Sequence, residues 1–74
     1  ALFDSVNVFE NVAYSLFEHT TMKEAEVEEK VMEILKIVNM SHARDLMPSD
    51  LSGGMQKRVG MARAMILHPD ILLY

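Results

Sequence analysis

Apolar residues at Val27, Val31, Ile34, Leu35 and Val38 recur with the 3.6-residue period of a helix. Glu24, Glu26, Glu28, Glu29, Lys30, Glu33 and Lys36 occupy the other side. The spacing predicts a helix from about Thr21 to Val38, with Thr21 and Glu24 as a capping box. Its early acids suit the positive end of the helix dipole, and Glu26 with Lys30 is a supportive pair whereas Glu24 with Glu28 repels. The acidic run reads as a solvated helix face.

Two shorter periodic segments flank this helix. Asn7 with Glu10 forms a second capping box, and Val8, Val12 and Leu16, with Phe9 and Ala13 beside them, predict a helix to about Phe17. The polar group His19-Thr20-Thr21 ends it. Ser41 caps one further turn, His42 to Asp45. The stretch Leu46 to Asp50 reads as a linker in which Pro48 biases Met47 towards extended backbone. A third helix is expected after Ser52, to about Leu67, with Met55, Val59, Ala62 and Ile66 on one face. Pro69 stops it, and Ile71-Leu72-Leu73-Tyr74 reads as the start of a buried strand with no partner strand elsewhere. Such a segment invites self-association. The fold expected is therefore mostly α: a small helical bundle with one unpaired C-terminal strand segment.

Composition narrows the chemistry. The 74 residues suit one small domain with a modest core. There is no cysteine, which removes disulfides, thiolate metal sites and cysteine nucleophiles. No uncharged apolar run approaches the roughly 18 residues of a membrane span, so no direct membrane insertion is expected. The net charge of −4 argues against nucleic acid as a partner. Charge is uneven, however: after Leu51 there is one acid, Asp70, against Lys57, Arg58 and Arg63. That basic tail suits one local anion. His19, His42 and His68 lack metal-ligand spacing and read as loop or surface residues. The seven methionines suit a flexible core or a plastic contact surface.

One segment carries chemistry. Two of the three glycines are adjacent in Leu51-Ser52-Gly53-Gly54-Met55-Gln56. A serine N-cap followed by residues without side-chain bulk uncovers the N–H groups of a first helical turn. Those donors, the hydroxyl and the helix dipole converge on a spot suited to a phosphate oxygen. The plainer reading is a helix cap with loop glycines. Leu-Ser-Gly-Gly arises by chance about twice per thousand chains of this length, so its surroundings decide between the two.

Those surroundings are Gln56-Lys57-Arg58-Val59, Ala62-Arg63-Ala64, then His68-Pro69-Asp70 and an apolar run. In this order and spacing, residues 51–74 resemble the ATP-binding-cassette ATPases, whose signature motif Leu-Ser-Gly-Gly-Gln precedes a basic helix, a proline and the Walker B strand. Ala1-Leu2-Phe3-Asp4 and Val8-Phe9-Glu10-Asn11-Val12 look like the segment after that family's Q-loop glutamine. The resemblance thus covers the whole chain. Residues 1–5 with Met47 to Met55 are most similar to the Mla/Mce-type phospholipid and organic-solvent-resistance importers.

The resemblance implies residues 1–50 as the helical subdomain and residues 51–74 as the signature motif, signature helix and start of the Walker B strand, within a parent α/β P-loop NTPase. It implies ATP and Mg²⁺ as cofactors of the intact parent, with Ser52, Gly53, Gly54, Met55 and Gln56 at the γ-phosphate of ATP bound to a second, head-to-tail subunit. Leu51 and Val59 would anchor the motif helix. The helical subdomain would receive a membrane permease subunit, with Phe9, Val12 and Tyr14 as contacts if they are not core residues. That arrangement is cytoplasmic and peripheral to the inner membrane. One position departs from the motif: Met55 stands where the glutamine is usual, and a thioether cannot replace amide hydrogen bonds.

No Gly-x-x-x-x-Gly-Lys-Ser/Thr occurs, and the Walker B acids and switch histidine would lie beyond Tyr74. A helix N-terminus contributes about 0.3–1 kcal/mol, or about 2 when partly buried, while a millimolar complex needs about 4 kcal/mol. This segment alone is expected neither to hold ATP tightly nor to hydrolyse it, and to carry no catalytic residue or metal ligand. The competing expectation is a free-standing helical interaction module without nucleotide chemistry. The chromosome-maintenance branch of the superfamily is disfavoured, because no sustained heptad is present.

Overall fold

Asn7 opens the first helix as its sequence predicts. Its backbone is extended, its Oδ1 accepts from the Glu10 N–H at 2.8 Å, and Glu10 Oε1 accepts from the Asn7 N–H at 3.1 Å. In the computed structural model, which describes residues 2–67, helix α1 runs Val8–His19. It ends two residues later than the sequence suggests. Thr20, in extended backbone, closes it by donating both its N–H (2.9 Å) and its hydroxyl (2.6 Å) to the Leu16 carbonyl.

Helix α2 runs Glu24–Ile37. The expected Thr21 cap does not form: the helix starts three residues later, at Glu24, and the turn before it is held by Thr20 Oγ1, which accepts from the Met22 N–H at 3.3 Å. The chain enters α2 at Lys23, whose side chain has no oxygen to offer. Glu26 reaches back instead, accepting from the Lys23 N–H at 3.5 Å. Its carboxylate thus serves the helix start. At the other end Asn39 adopts φ 60°, with Met40 N–H on the Leu35 carbonyl (2.7 Å) and Asn39 N–H on that of Lys36 (3.1 Å). This pair of bonds is a Schellman motif, with asparagine in the left-handed position usually given to glycine.

A 3₁₀ turn at Ser41–Ala43 follows, beginning at Ser41 itself and not after it. The Leu46–Asp50 linker is more ordered than its composition suggests. Met47 is extended before Pro48, as expected, but Pro48–Asp50 forms a second 3₁₀ turn. Carbonyls at its start and just before it also satisfy the start of α1: Val8 N–H donates to Leu46 O and Phe9 N–H to Arg44 O, both at 2.9 Å. Orphan donors of a helix start therefore hold the linker in place.

Helix α3, Gly53–Leu67, matches its expected bounds. The three helices pack against one another in every pairing. Their shared core is Val8, Val12, Ala13 and Leu16 of α1, Val27, Val31, Ile34 and Leu35 of α2, and Val59, Ala62 and Ile66 of α3. Met40, Ala43 and Leu51 close it from the connecting segments. The mostly α fold is as expected, and the acids of α2 are exposed. No helix among the described residues is long and apolar enough to cross a membrane. The expectations for His68, Pro69 and the strand at Ile71-Leu72-Leu73-Tyr74 lie outside the described residues.

Candidate phosphate-binding turn

Ser52 caps α3. Its Oγ accepts from the Met55 N–H at 3.1 Å, and its carbonyl accepts from the Gln56 N–H at 2.9 Å, the first bond of the helical ladder. An accepting hydroxyl still has its own proton to donate. The N–H groups of Gly53 and Gly54 have no carbonyl one turn earlier to receive them. Three donors thus stand together at an exposed helix start.

The charges around this turn favour an anion. The first turns of α1 and α2 carry acids (Glu10, then Glu24 and Glu26), whereas that of α3 carries none. Asp50 is nearby in sequence, but its carboxylate turns back to accept from the Met47 N–H at 3.3 Å. Lys57 and Arg58 are both exposed on the following turn.

The glycines are explained by nothing inside the described chain. Neither has positive φ. A Cβ built on Gly53 would meet no atom within 4 Å, and one on Gly54 would meet only Ser52 Oγ, at 4.0 Å. Glycine nevertheless loses more backbone freedom on folding than alanine would at these two positions, the first two of α3. Bare backbone is kept here without an internal need for it.

The remaining members of the sequence-derived set are placed differently. Met55 is partly buried and packs against the core. The Gln56 side chain points back along the chain, with Nε2 donating to the Pro48 carbonyl at 2.9 Å. Leu51 and Val59 are buried and anchor the turn and its helix. Among the described residues, no group of three or more His, Asp or Glu side chains is placed to hold a metal ion. The donor set fits a phosphate oxygen and offers no ligand shell for magnesium.

A groove of about 670 Å³ runs between α1 and α2, lined by Phe3, Phe9, Tyr14 and Phe17 together with Glu10, Glu24, Glu28 and Arg44. Phe3 and Tyr14 meet edge to face at 5.0 Å. Arg44 lies 4.5 Å over the Phe9 ring and 3.6 Å from Glu28 Oε1. Of the three candidate contact residues named from the sequence, Phe9 and Tyr14 line this groove while Val12 is core. The groove itself was not legible in the sequence, although Phe9, Ala13 and Phe17 at four-residue spacing are its trace.

A family model for ABC transporters matches residues 3–74. The chain is 47% identical over 73 residues to the probable ribonucleotide transport ATP-binding protein mkl of Mycobacterium leprae, covering 99% of this chain and 21% of that protein. It is 47% identical over 74 residues to the intermembrane phospholipid transport system ATP-binding protein MlaF of Escherichia coli, covering 100% of this chain and 28% of the relative. The methionine import ATP-binding protein MetN of Chlamydia pneumoniae is 44% identical over 73 residues, 97% of this chain and 21% of its own. The chain therefore spans between a fifth and three-tenths of the length of these curated relatives.

Proposed function

The chain belongs to the ABC transporter family, and from that premise we propose that it is the helical subdomain and signature segment of an ATP-binding subunit. Ser52, Gly53 and Gly54 meet the γ-phosphate of ATP held by a second subunit arranged head to tail. The observation that carries this reading is the pair of glycines whose Cβ positions face open space at ordinary φ. Their bareness allows close approach by something outside the chain.

The donors act by position. Two backbone N–H groups and one hydroxyl, fixed before ATP arrives, stabilise negative charge without reorganising. Lys57 and Arg58 raise the local potential. MgATP brings the phosphoryl group that is transferred to water, and the loop and acids that hold it belong to the partner surface. This chain closes the site and orients the phosphate.

The groove between α1 and α2 receives the membrane permease subunit. Its aromatic residues suit an apolar helix face, and Glu10 and Glu24, which line it beside the Glu28–Arg44 pair, suit basic residues flanking that face. The subunit is thereby peripheral to the cytoplasmic side of the inner membrane. The phospholipid transport named for the MlaF relative supports a lipid as the solute moved.

Gly54→Ala in the full-length subunit tests the phosphate contact. The added methyl fits the chain, since it meets only Ser52 Oγ at 4.0 Å, and it lowers the backbone entropy lost on folding. The expected result is unchanged or raised thermal stability with ATP turnover reduced at least about tenfold. Wild-type turnover in that variant would overturn the proposal.

A further inference from the structure

Gln56 holds its own approach segment at two points. Its side-chain Nε2 donates to the Pro48 carbonyl at 2.9 Å, and its backbone N–H donates to the Ser52 carbonyl at 2.9 Å. The Pro48 oxygen also accepts from the Leu51 N–H at 3.1 Å. A carbonyl oxygen offers two lone pairs, so these two donors satisfy it fully. Pro48 and Leu51 are both buried, whereas Ser52, Gly53 and Gly54 are exposed.

The division of labour follows from that geometry. Burial of Pro48 and Leu51 fixes where the turn sits but, being non-directional, does not fix its orientation. A hydrogen bond is directional. The Gln56 amide ties the 3₁₀ turn at Pro48–Asp50 to the first turn of α3 across eight residues. It therefore sets the angle at which the chain enters Ser52, and with it the direction of the three exposed donors.

We infer that Gln56 is a positioning residue for the phosphate-facing turn: it does not touch the phosphate, but fixes where Ser52, Gly53 and Gly54 point. This rests on the ATP-facing role proposed above. It also gives Gln56 a different part from the direct contact that its place beside the motif suggests.

Steady-state ATP turnover by the full-length subunit in complex with its permease tests the inference. Gln56→Met keeps the length and flexibility of the side chain but has no N–H to donate. Gln56→Lys restores a donor. Gln56→Met is expected to lower kcat about three- to tenfold, the worth of one lost hydrogen bond, with KM for ATP held within about twofold. Gln56→Lys is expected to recover most of the loss, and the melting temperature of both variants to stay near that of the wild type. A Gln56→Met enzyme with wild-type kcat, alongside a Ser52→Ala enzyme with reduced kcat, would overturn the positioning role and leave the phosphate contact standing. A loss of kcat that tracks a loss of melting temperature and is not recovered by Gln56→Lys would overturn it too, as a purely structural effect. Wild-type kcat in Ser52→Ala and Gly54→Ala together would overturn the phosphate contact itself.

Discussion

Asn11 holds Phe3 as a neighbouring β-strand would: its Oδ1 accepts from the Phe3 N–H at 2.7 Å while its Nδ2 donates to the Phe3 carbonyl at 3.1 Å. The same Nδ2 lies 3.2 Å from the Val6 carbonyl and 2.9 Å from that of Asn7. Asn11 is fully buried, at 0% exposure. One buried amide side chain thus clamps the largely exposed, non-helical segment before α1 onto the helix and supplies backbone groups there with hydrogen-bond partners. Phe3 is thereby held where its ring meets Tyr14 and where Arg63 lies 5.0 Å over it.

Replacing that clamp should be costly. Asn11→Leu keeps the branched shape of the side chain but removes the partner of the Phe3 N–H and of the partly buried Phe3 and Val6 carbonyls, at about 1 kcal/mol for each hydrogen bond lost. A total loss of about 2–4 kcal/mol is expected in denaturant unfolding of the protein. A loss below about 0.5 kcal/mol would mean that water replaces the amide without penalty.

The end of α2 gives a second prediction. Asn39 sits at φ 60°, where a Cβ crowds the following carbonyl in most residues. Asn39→Ala should destabilise by about 1 kcal/mol and Asn39→Val by about 1–2 kcal/mol. Asn39→Gly should stay within about 0.5 kcal/mol of wild type. Equal effects of alanine and glycine in thermal melts would show that the left-handed turn is not kept in solution.

Tyr14 and Glu18 lie one turn apart on α1. A hydrogen bond to the Glu18 carboxylate, then its negative charge, raises the Tyr14 phenol above its ordinary value of 10. Because the folded value is the higher one, the pair's contribution is fully present below the unfolded value. It is lost as pH rises through the folded value. Absorbance titration of the phenolate should therefore give a Tyr14 midpoint above 10, and Glu18→Gln should bring it down. An unchanged midpoint in Glu18→Gln would remove the pair from the account.

The groove is open to a direct test as well. Phe17 is exposed, at 51%, and lines the groove. Phe17→Glu should leave folding within about 0.5 kcal/mol, as for most surface changes. It should nevertheless weaken co-purification with the permease at least about tenfold, as loss of a buried aromatic anchor does. Retained assembly would place the permease elsewhere on the subunit.

Local signals in the sequence proved sound where the physics is local. Val27, Val31, Ile34 and Leu35 announce α2 through spacing alone, since burying one stripe is what makes an amphipathic helix stable. Asn7 with Glu10, and Ser52 before two glycines, announce helix starts because capping partners lie three residues apart. Thr21 with Glu24 carries the same letters, yet does not cap. Thr20 takes the Met22 N–H first, and α2 starts at Glu24. The spacing rule names a compatible pair of residues but not the backbone position at which the helix begins, which here is set by the N-cap at Lys23.

By itself, the sequence determined three helices, a buried stripe on each, a capped glycine turn and membership of a recognisable family. Tertiary structure decided which polar side chains work inward. Asn11 reaches eight residues back to Phe3, and Gln56 reaches eight residues back to Pro48. Neither bond has a periodic trace, because each depends on two segments being brought together by the core and on an orientation that only packing sets. The groove between α1 and α2 is of the same kind. Its aromatic residues are visible in the sequence, but the cleft they line exists only once Val27 and Ala13 have drawn the two helices together.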